Sequence, residues 1–366
     1  MKRWYSVVAI NWLNATILFI VANIALGVAY YVVDARRQRE QDSIHNPAAV
    51  PSLSPDEARA VFQRFRTISH RSLDEPWVGW AEAPYHSRNV NVDAGDPMPT
   101  RRTSNSRPST RTVWLFGGST AFGFGVTDDQ TIASNLQRLL GPDYQIINHG
   151  HLGFYSSQEL ALFHWLLRAG KRANVVVFLD GFNESRQPLD TPGNMEPSAD
   201  EERMITISKS FPAARLARFF TKRLPQKAAP ARQANDPAPM MALRYARNID
   251  LARRLATSYD ATPLFVWQPT PYDYFDLEHD PDFQTRRAIY PPDPIMKPLN
   301  AQVRQTVTAA DFLFLADLFQ KRVYRNTFVD SCHYGEEASE ILAKSIASAI
   351  RAREGQSSRM QGRSTQ

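Results

Sequence analysis

Cysteine is all but missing: Cys332 is the only one in 366 residues. That excludes an intramolecular disulfide and any zinc or iron–sulfur site built from several thiolates. A strong charge imbalance is missing too. Against 37 Asp and Glu stand 43 Lys and Arg, a net charge of +6. The pI is near 9.4, but most basic proteins of this size bind no nucleic acid, and none is expected as a partner here. Internal repeats are absent. A mean hydropathy of -0.40 excludes a polytopic membrane protein. Hydrophobic residues at 43% and charged residues at 22% exclude a wholly disordered chain.

Long apolar runs are scarce, with one exception. No charged residue occurs from Trp4 to Val33; Lys2 and Arg3 precede the run and Asp34, Arg36 and Arg37 follow it. About 20 helical residues cross a hydrocarbon core, so the run is long enough to span a bilayer. Trp4 and Tyr5 at one end and Tyr30 and Tyr31 at the other suit the two interfaces. Asn11, Asn14 and Asn23 are polar positions that a single span tolerates. A cleaved signal peptide is the competing reading, but its apolar core is only about half as long, and Val32-Val33-Asp34 is a poor cleavage site. The expectation is an N-terminal anchor over residues 1–40, with a lipid bilayer as partner. Arg36, Arg37 and Arg39 offset Lys2 and Arg3, so flanking charge alone does not orient the span.

Residues 41–110 read as a stalk and lead-in segment packing on a main domain. Ser54-Pro55-Asp56-Glu57 opens a short amphipathic helix carrying Ala60, Val61, Phe62 and Phe65. Pro76, Trp77, Trp80, Pro84 and Tyr85 follow, and residues 94–111 read as loop. From Arg111 short apolar runs alternate with helical patterns. Strands are predicted at Val113–Phe116, Gln145–Asn148, Val175–Leu179, Pro263–Trp267 and, briefly, Thr327–Val329. Helices are predicted at Thr131–Leu140, Ser157–Arg168, 240–259, 299–320 and 335–352. Strands that are apolar throughout and alternate with helices predict an α/β fold, a three-layer αβα sandwich around a parallel sheet of about five strands. An insertion, 185–239, is rich in Pro, Ala and Arg and holds a possible helix near 209–224; its cations Lys209, Arg215, Arg218, Lys222, Arg223 and Lys227 read as a solvated face or an anion-facing surface. Residues 353–366 read as a disordered tail.

Ligands of parallel α/β sheets bind beyond the carboxyl ends of the strands, and the residues there are distinctive. Gly117-Gly118-Ser119-Thr120 follows the first strand, with no Lys to make a phosphate loop. Gly123-Phe124-Gly125 is too short for a dinucleotide fingerprint. Asn148-His149-Gly150-His151-Leu152-Gly153 follows the second strand, and Asp180-Gly181-Phe182-Asn183-Glu184 the third. Asp330-Ser331-Cys332-His333 lies by the last. A nucleophile, a base, a group to orient the base and donors for an oxyanion are what acyl transfer needs. Each also has a plainer use. Ser119 suits a helix N-cap, Asp330 a turn cap and Asn183 a turn. His149 and His151 lack a nearby carboxylate or Cys for metal binding and read as loop residues. Cys332 reads as buried packing. Tyr272, Tyr274 and Phe275 either stack on a sugar or acyl group or pack.

Taken in order, the four blocks resemble the SGNH hydrolase superfamily, the GDSL esterases and lipases, over about residues 111–352. The first block is Gly117-Gly118-Ser119-Thr120, with Gly118 where the type sequence has Asp. The others are Asn148-x-Gly150-x-x-Gly153, Gly181-Phe182-Asn183 followed by Glu184 in place of Asp, and Asp330-x-x-His333. The resemblance implies a flavodoxin-like fold and a carboxylic ester hydrolase. In it Ser119 is the nucleophile, His333 the base and Asp330 its orienting partner. The oxyanion hole is made of Ser119, Gly153 (with Gly150 as competitor) and Asn183. No cofactor and no metal is implied. The N-terminal span with an aromatic stalk resembles membrane-anchored bacterial members associated with cell-surface polysaccharide. That implies an acylated, most plausibly O-acetylated, carbohydrate as substrate and an extracytoplasmic catalytic domain. An O-acyltransferase using the same triad, or a non-catalytic scaffold subunit of polysaccharide assembly, stays open at this point.

Overall fold

The computed structural model describes residues 2–42, 45–69, 71–186, 212–213, 236–275, 293–320 and 326–364. Two compact units are present: Met1–Ser43 with Pro188–Asp236, and Ile44–Gln187 with Pro237–Gln366. The first contains helix α1, Lys2–Asp42. Its stretch Trp4–Asp34 is long and apolar enough to cross a membrane. Bulky side chains such as Trp12, Leu18 and Ile24 stand exposed. Two polar side chains in it are satisfied locally, Thr16 by the carbonyl of Trp12 and Asn23 by that of Phe19. Apart from residues 212 and 213, the proposed helix and the named cations of the insertion lie outside the described residues.

The second unit opens with α2, Pro55–Ser69. The helix starts where the sequence placed it, and a reciprocal cap closes it: Glu57 accepts from the Ser54 amide at 3.1 Å, and the Glu57 amide donates back to Ser54 Oγ at 3.4 Å. An antiparallel hairpin follows, β1 (Ser72–Glu75) and β2 (Gly79–Glu82). The main sheet has seven strands among the described residues. Two short ones come from the lead-in, β3 (Val92–Asp93) and β4 (Thr100–Arg101). Five are parallel: β5 (Arg111–Gly117), β6 (Tyr144–Gly150), β7 (Val175–Asp180), β8 (Thr262–Trp267) and β9 (Phe312–Phe314). Their spatial order is β3-β4-β6-β5-β7-β8-β9, with β3 and β4 antiparallel. The sheet is therefore mixed rather than purely parallel.

The central parallel strands β5 and β7 are buried along most of their length because helices cover both faces of the sheet. On one face Val113, Leu115, Val177 and Leu264 meet α4 (Ile132–Leu140) and α8 (Glu336–Ser364) through Leu136, Leu342 and Ile346. On the other face an aromatic ladder runs across the strands: Phe116 stacks on Phe178 at 4.8 Å, and Phe178 on Phe265 at 5.4 Å. Against it lie α5 (Ser156–Arg168) and α6 (Ala238–Ser258), with Phe163 5.7 Å from both Phe116 and Phe178. Helix α7 (Met296–Thr306) is tied to β8 by the Trp267 indole, which donates to Asn300.

Three expectations fail locally. The fifth parallel strand is Phe312–Phe314, not Thr327–Val329. The former aligns with Phe265–Trp267, whereas Phe328 has only an isolated bridge to Tyr334. The helix expected over 299–320 stops at Thr306, because Val307 turns extended and the chain must reach the sheet edge. Helix α8 continues to Ser364, through the tail expected to be disordered. That stretch has no proline, and Glu354 anchors it by accepting from Tyr144 and pairing with Arg111.

Candidate active site

The parallel order β6-β5-β7 reverses direction at β5, and beyond the carboxyl ends of such a switch point is where open α/β sheets bind ligands. Ser119 leaves β5 as the first residue of α3, Ser119–Phe122, and Asn183 leaves β7 in a short helical turn. Gly118 sits between them. A Cβ there would lie 2.3 Å from Asn183 Nδ2 and 2.8 Å from the Phe154 carbonyl oxygen. The Asp of the type motif is thus sterically barred unless both Asn183 and the Phe154 backbone move.

His333 lies on the turn before α8, and its ring bridges two groups. Nε2 is 2.7 Å from Ser119 Oγ; Nδ1 is 2.6 Å from Asp330 Oδ2. The other carboxylate oxygen, Oδ1, accepts the amides of Cys332 and His333 at 3.0 and 2.9 Å. Asp330 therefore caps the turn and holds the imidazole with the same side chain. Phe124 stacks on the His333 ring at 4.4 Å. Burial alone would raise the Asp330 carboxyl, but the charge and hydrogen bond of His333 outweigh it and bring the pKa to about 2. For His333, burial opposes protonation; the Asp330 carboxylate prevails and holds the imidazole well above its ordinary range. Cys332 is buried and its thiol is pushed up, mainly by desolvation. It is uncharged at neutral pH and no competing nucleophile. Asp330, Cys332 and His333 hold ligand atoms within 4.8 Å of one another, but the Asp330 and His333 atoms are already bonded together.

The three donors that the resemblance implies differ in what their hydrogens are bonded to. The Ser119 and Gly153 amides have no hydrogen-bond partner among the described residues. Asn183 gives one amide hydrogen to the Phe154 carbonyl at 2.6 Å and keeps a second. Gly150 is different: its amide donates to Asn148 Oδ1 at 2.9 Å, so its hydrogen is taken. Among the two glycines the geometry favours Gly153.

Of the two histidines of the second block, His151 lies in the loop as expected, whereas His149 belongs to the strand. His149 is the next-to-last residue of β6, buried against Trp114 and stacked on Phe116 at 5.3 Å. Desolvation, helped by His151, lowers its pKa to about 3, so it stays neutral. His151 is 1% exposed, with Nδ1 2.6 Å from Glu82 Oε2. Tyr274 and Phe275 pack, on Phe314 and Phe328. Tyr272 stacks on Phe182 at 5.9 Å, and its hydroxyl, bonded to Ser331, is pushed up to about 12, chiefly by burial.

Sequence reasoning read Trp80 only as a packing residue and passed over Glu82 and a buried acid group. Glu159 on α5, Asp180 at the end of β7 and Glu184 beside Asn183 are all buried, and desolvation raises all three carboxyls. Glu184 accepts the Ser156 amide at 2.7 Å and pairs with Arg244. A Glu after the Asn of the third block was the one visible signal.

No protein-family model and no curated protein sequence matches the chain. Solved structures similar to it include Est24, a carbohydrate acetylesterase from Sinorhizobium meliloti, at 15% identity over 66% of this chain and 99% of that one, with a TM-score of 0.39. An aryl esterase from M. smegmatis aligns at 13% identity over 66% and 99%, with a TM-score of 0.38. A member of the lipolytic G-D-S-L family from Veillonella parvula aligns at 10% identity over 64% and 94%, with a TM-score of 0.36.

Proposed function

We propose that the chain is a membrane-anchored serine esterase that hydrolyses O-acyl esters. The observation that carries this reading is the line from Ser119 Oγ through His333 to Asp330, at 2.7 and 2.6 Å, beside three N–H groups with hydrogens to spare. Ser119 Oγ attacks the acyl carbon as His333 Nε2 takes its proton. The oxyanion is met by the amides of Ser119 and Gly153 and the side chain of Asn183. As the tetrahedral species collapses, His333 returns the proton to the leaving alcohol. Water, activated by the same imidazole, releases the acid and regenerates Ser119. Every step uses side chains, amides and water.

The O-acetyl group on a surface carbohydrate rests on the four sequence blocks and their company of a span and aromatic stalk. Helix α1 supports anchoring, with apolar residues exposed along a stretch of 31. An extracytoplasmic body follows from the same resemblance.

The test is hydrolysis of p-nitrophenyl acetate by a chain beginning at residue 45, beside Ser119→Ala and His333→Ala. Each substitution is expected to lower kcat by about 10³-fold or more, and a fluorophosphonate to label Ser119. A folded protein that neither turns over nor is labelled would falsify the reading.

A further inference from the structure

Residues 151–154, which carry the Gly153 amide, are gripped by the lead-in hairpin. Glu82, 2% exposed at the end of β2, uses both oxygens: Oε1 accepts the Leu152 amide at 2.7 Å and Oε2 meets His151 Nδ1 at 2.6 Å. The Trp80 indole, on the same strand, donates through Nε1 to the Leu152 carbonyl at 2.8 Å. Its ring lies edge-on to Phe154 at 5.8 Å.

The Trp80 bond has a particular consequence. The Leu152 carbonyl and the Gly153 amide belong to one peptide plane. In a trans peptide the C=O and N–H point in opposite directions. Fixing the carbonyl toward Trp80 therefore aims the Gly153 N–H the other way. Gly153 has a φ of +79°, a conformation a glycine enters and leaves at little cost, so the plane would turn readily without a hold. A Cβ at this position would also sit 3.4 Å from the indole.

We propose that Trp80, backed by Glu82, is a positioning residue for catalysis: it sets the direction of the Gly153 amide as an oxyanion donor. The inference rests on the esterase reading above. It makes a segment outside the four sequence blocks a working part of the site. Trp80 touches no reacting atom in this scheme; it acts through one peptide plane.

Trp80→Phe keeps an aromatic ring while removing the indole N–H together with part of the ring's bulk. With p-nitrophenyl acetate, kcat is expected to fall about 10- to 100-fold, below the loss of a whole donor, with KM within about twofold. Inhibition by a trifluoromethyl ketone, whose adduct with Ser119 carries the oxyanion, should weaken in parallel. The pH midpoint of kcat/KM, set by His333, should not move. Glu82→Gln, which keeps one acceptor oxygen, should show the same pattern more weakly. Trp80→Phe with wild-type kcat and wild-type ketone inhibition, in a chain that Ser119→Ala inactivates, overturns the positioning role and leaves the esterase reading standing. So does a fall confined to KM. Turnover undiminished by Ser119→Ala removes the esterase reading, and the positioning role with it.

Discussion

At the scale of single residues, Asp330 decides the working range of the site. Its carboxylate keeps the His333 imidazole protonated to higher pH than an ordinary histidine, against a burial cost that alone would favour the neutral ring. A base must be neutral to accept the Ser119 proton. So kcat/KM should rise with pH through a midpoint above the ordinary value of about 6.5. In Asp330→Asn the attraction is gone while burial remains, so the midpoint should fall below that of the wild type. Turnover should also drop by about 10³–10⁴-fold, since the amide no longer holds the required tautomer. A pH–rate profile with the same midpoint in both proteins would contradict the coupling. This pair was legible in sequence because a spacing of three residues lies within one turn. Ser119 and Asn183 were legible because each follows a buried strand and a glycine. Glu82 was not: its partner His151 is 69 residues away, and no periodicity connects the two.

At the scale of elements, the strands that carry the site were legible as continuous apolar runs, because both sheet faces are covered. Strand β9 was missed since three apolar residues after a helical pattern look like more helix, and only the alignment with β8 makes them a strand. Between α5, β7 and α6 lies the acid group that no local pattern announced. Glu159 and Asp180 are buried close enough to influence each other's charge, and neither carboxyl has a hydrogen-bond partner among the described residues. Desolvation raises both pKa values well above the carboxylate range, helped by the charge of Asp180 at Glu159 and by that of Glu184 at Asp180, so the pair holds a proton that the unfolded chain would release. The folded state then binds more protons than the unfolded one. Stability is fully present at low pH and is lost as pH rises from the ordinary carboxylate range through the raised values. Glu159→Gln keeps a hydrogen for Asp180 that does not titrate. Its Tm, followed by circular dichroism from about pH 5 to pH 8, should fall less than that of the wild type. At about 2–4 °C per kcal/mol for a domain of this size the difference is measurable. Parallel curves would show that the pair carries no excess proton.

At the scale of the whole molecule, residues 45–110 do more than connect helix α1 to a domain. They add β3 and β4 to the main sheet and bury Arg101 in a pair with Asp128. Helix α2 sets Phe65 4.8 Å from Phe124, whose other neighbour is the His333 ring, and the Asn46 amide donates to Val329 just before Asp330. Their two-residue strands have no sequence signature, which is why the aromatic content alone hinted at packing. Helix α1 belongs to the other compact unit. The two parts should therefore separate cleanly in a truncation series. The full chain is expected in the membrane fraction, resistant to carbonate extraction, with its body digested when protease is added outside intact cells whose outer envelope has been opened. A chain beginning at residue 45 should be soluble with unchanged kcat. One beginning at residue 108 should lose both the α2 and hairpin contacts to the site and fail to fold, read as absent cooperative unfolding. Full activity in that shortest chain would reduce the lead-in to a spacer, and a body protected from external protease would place it on the cytoplasmic side.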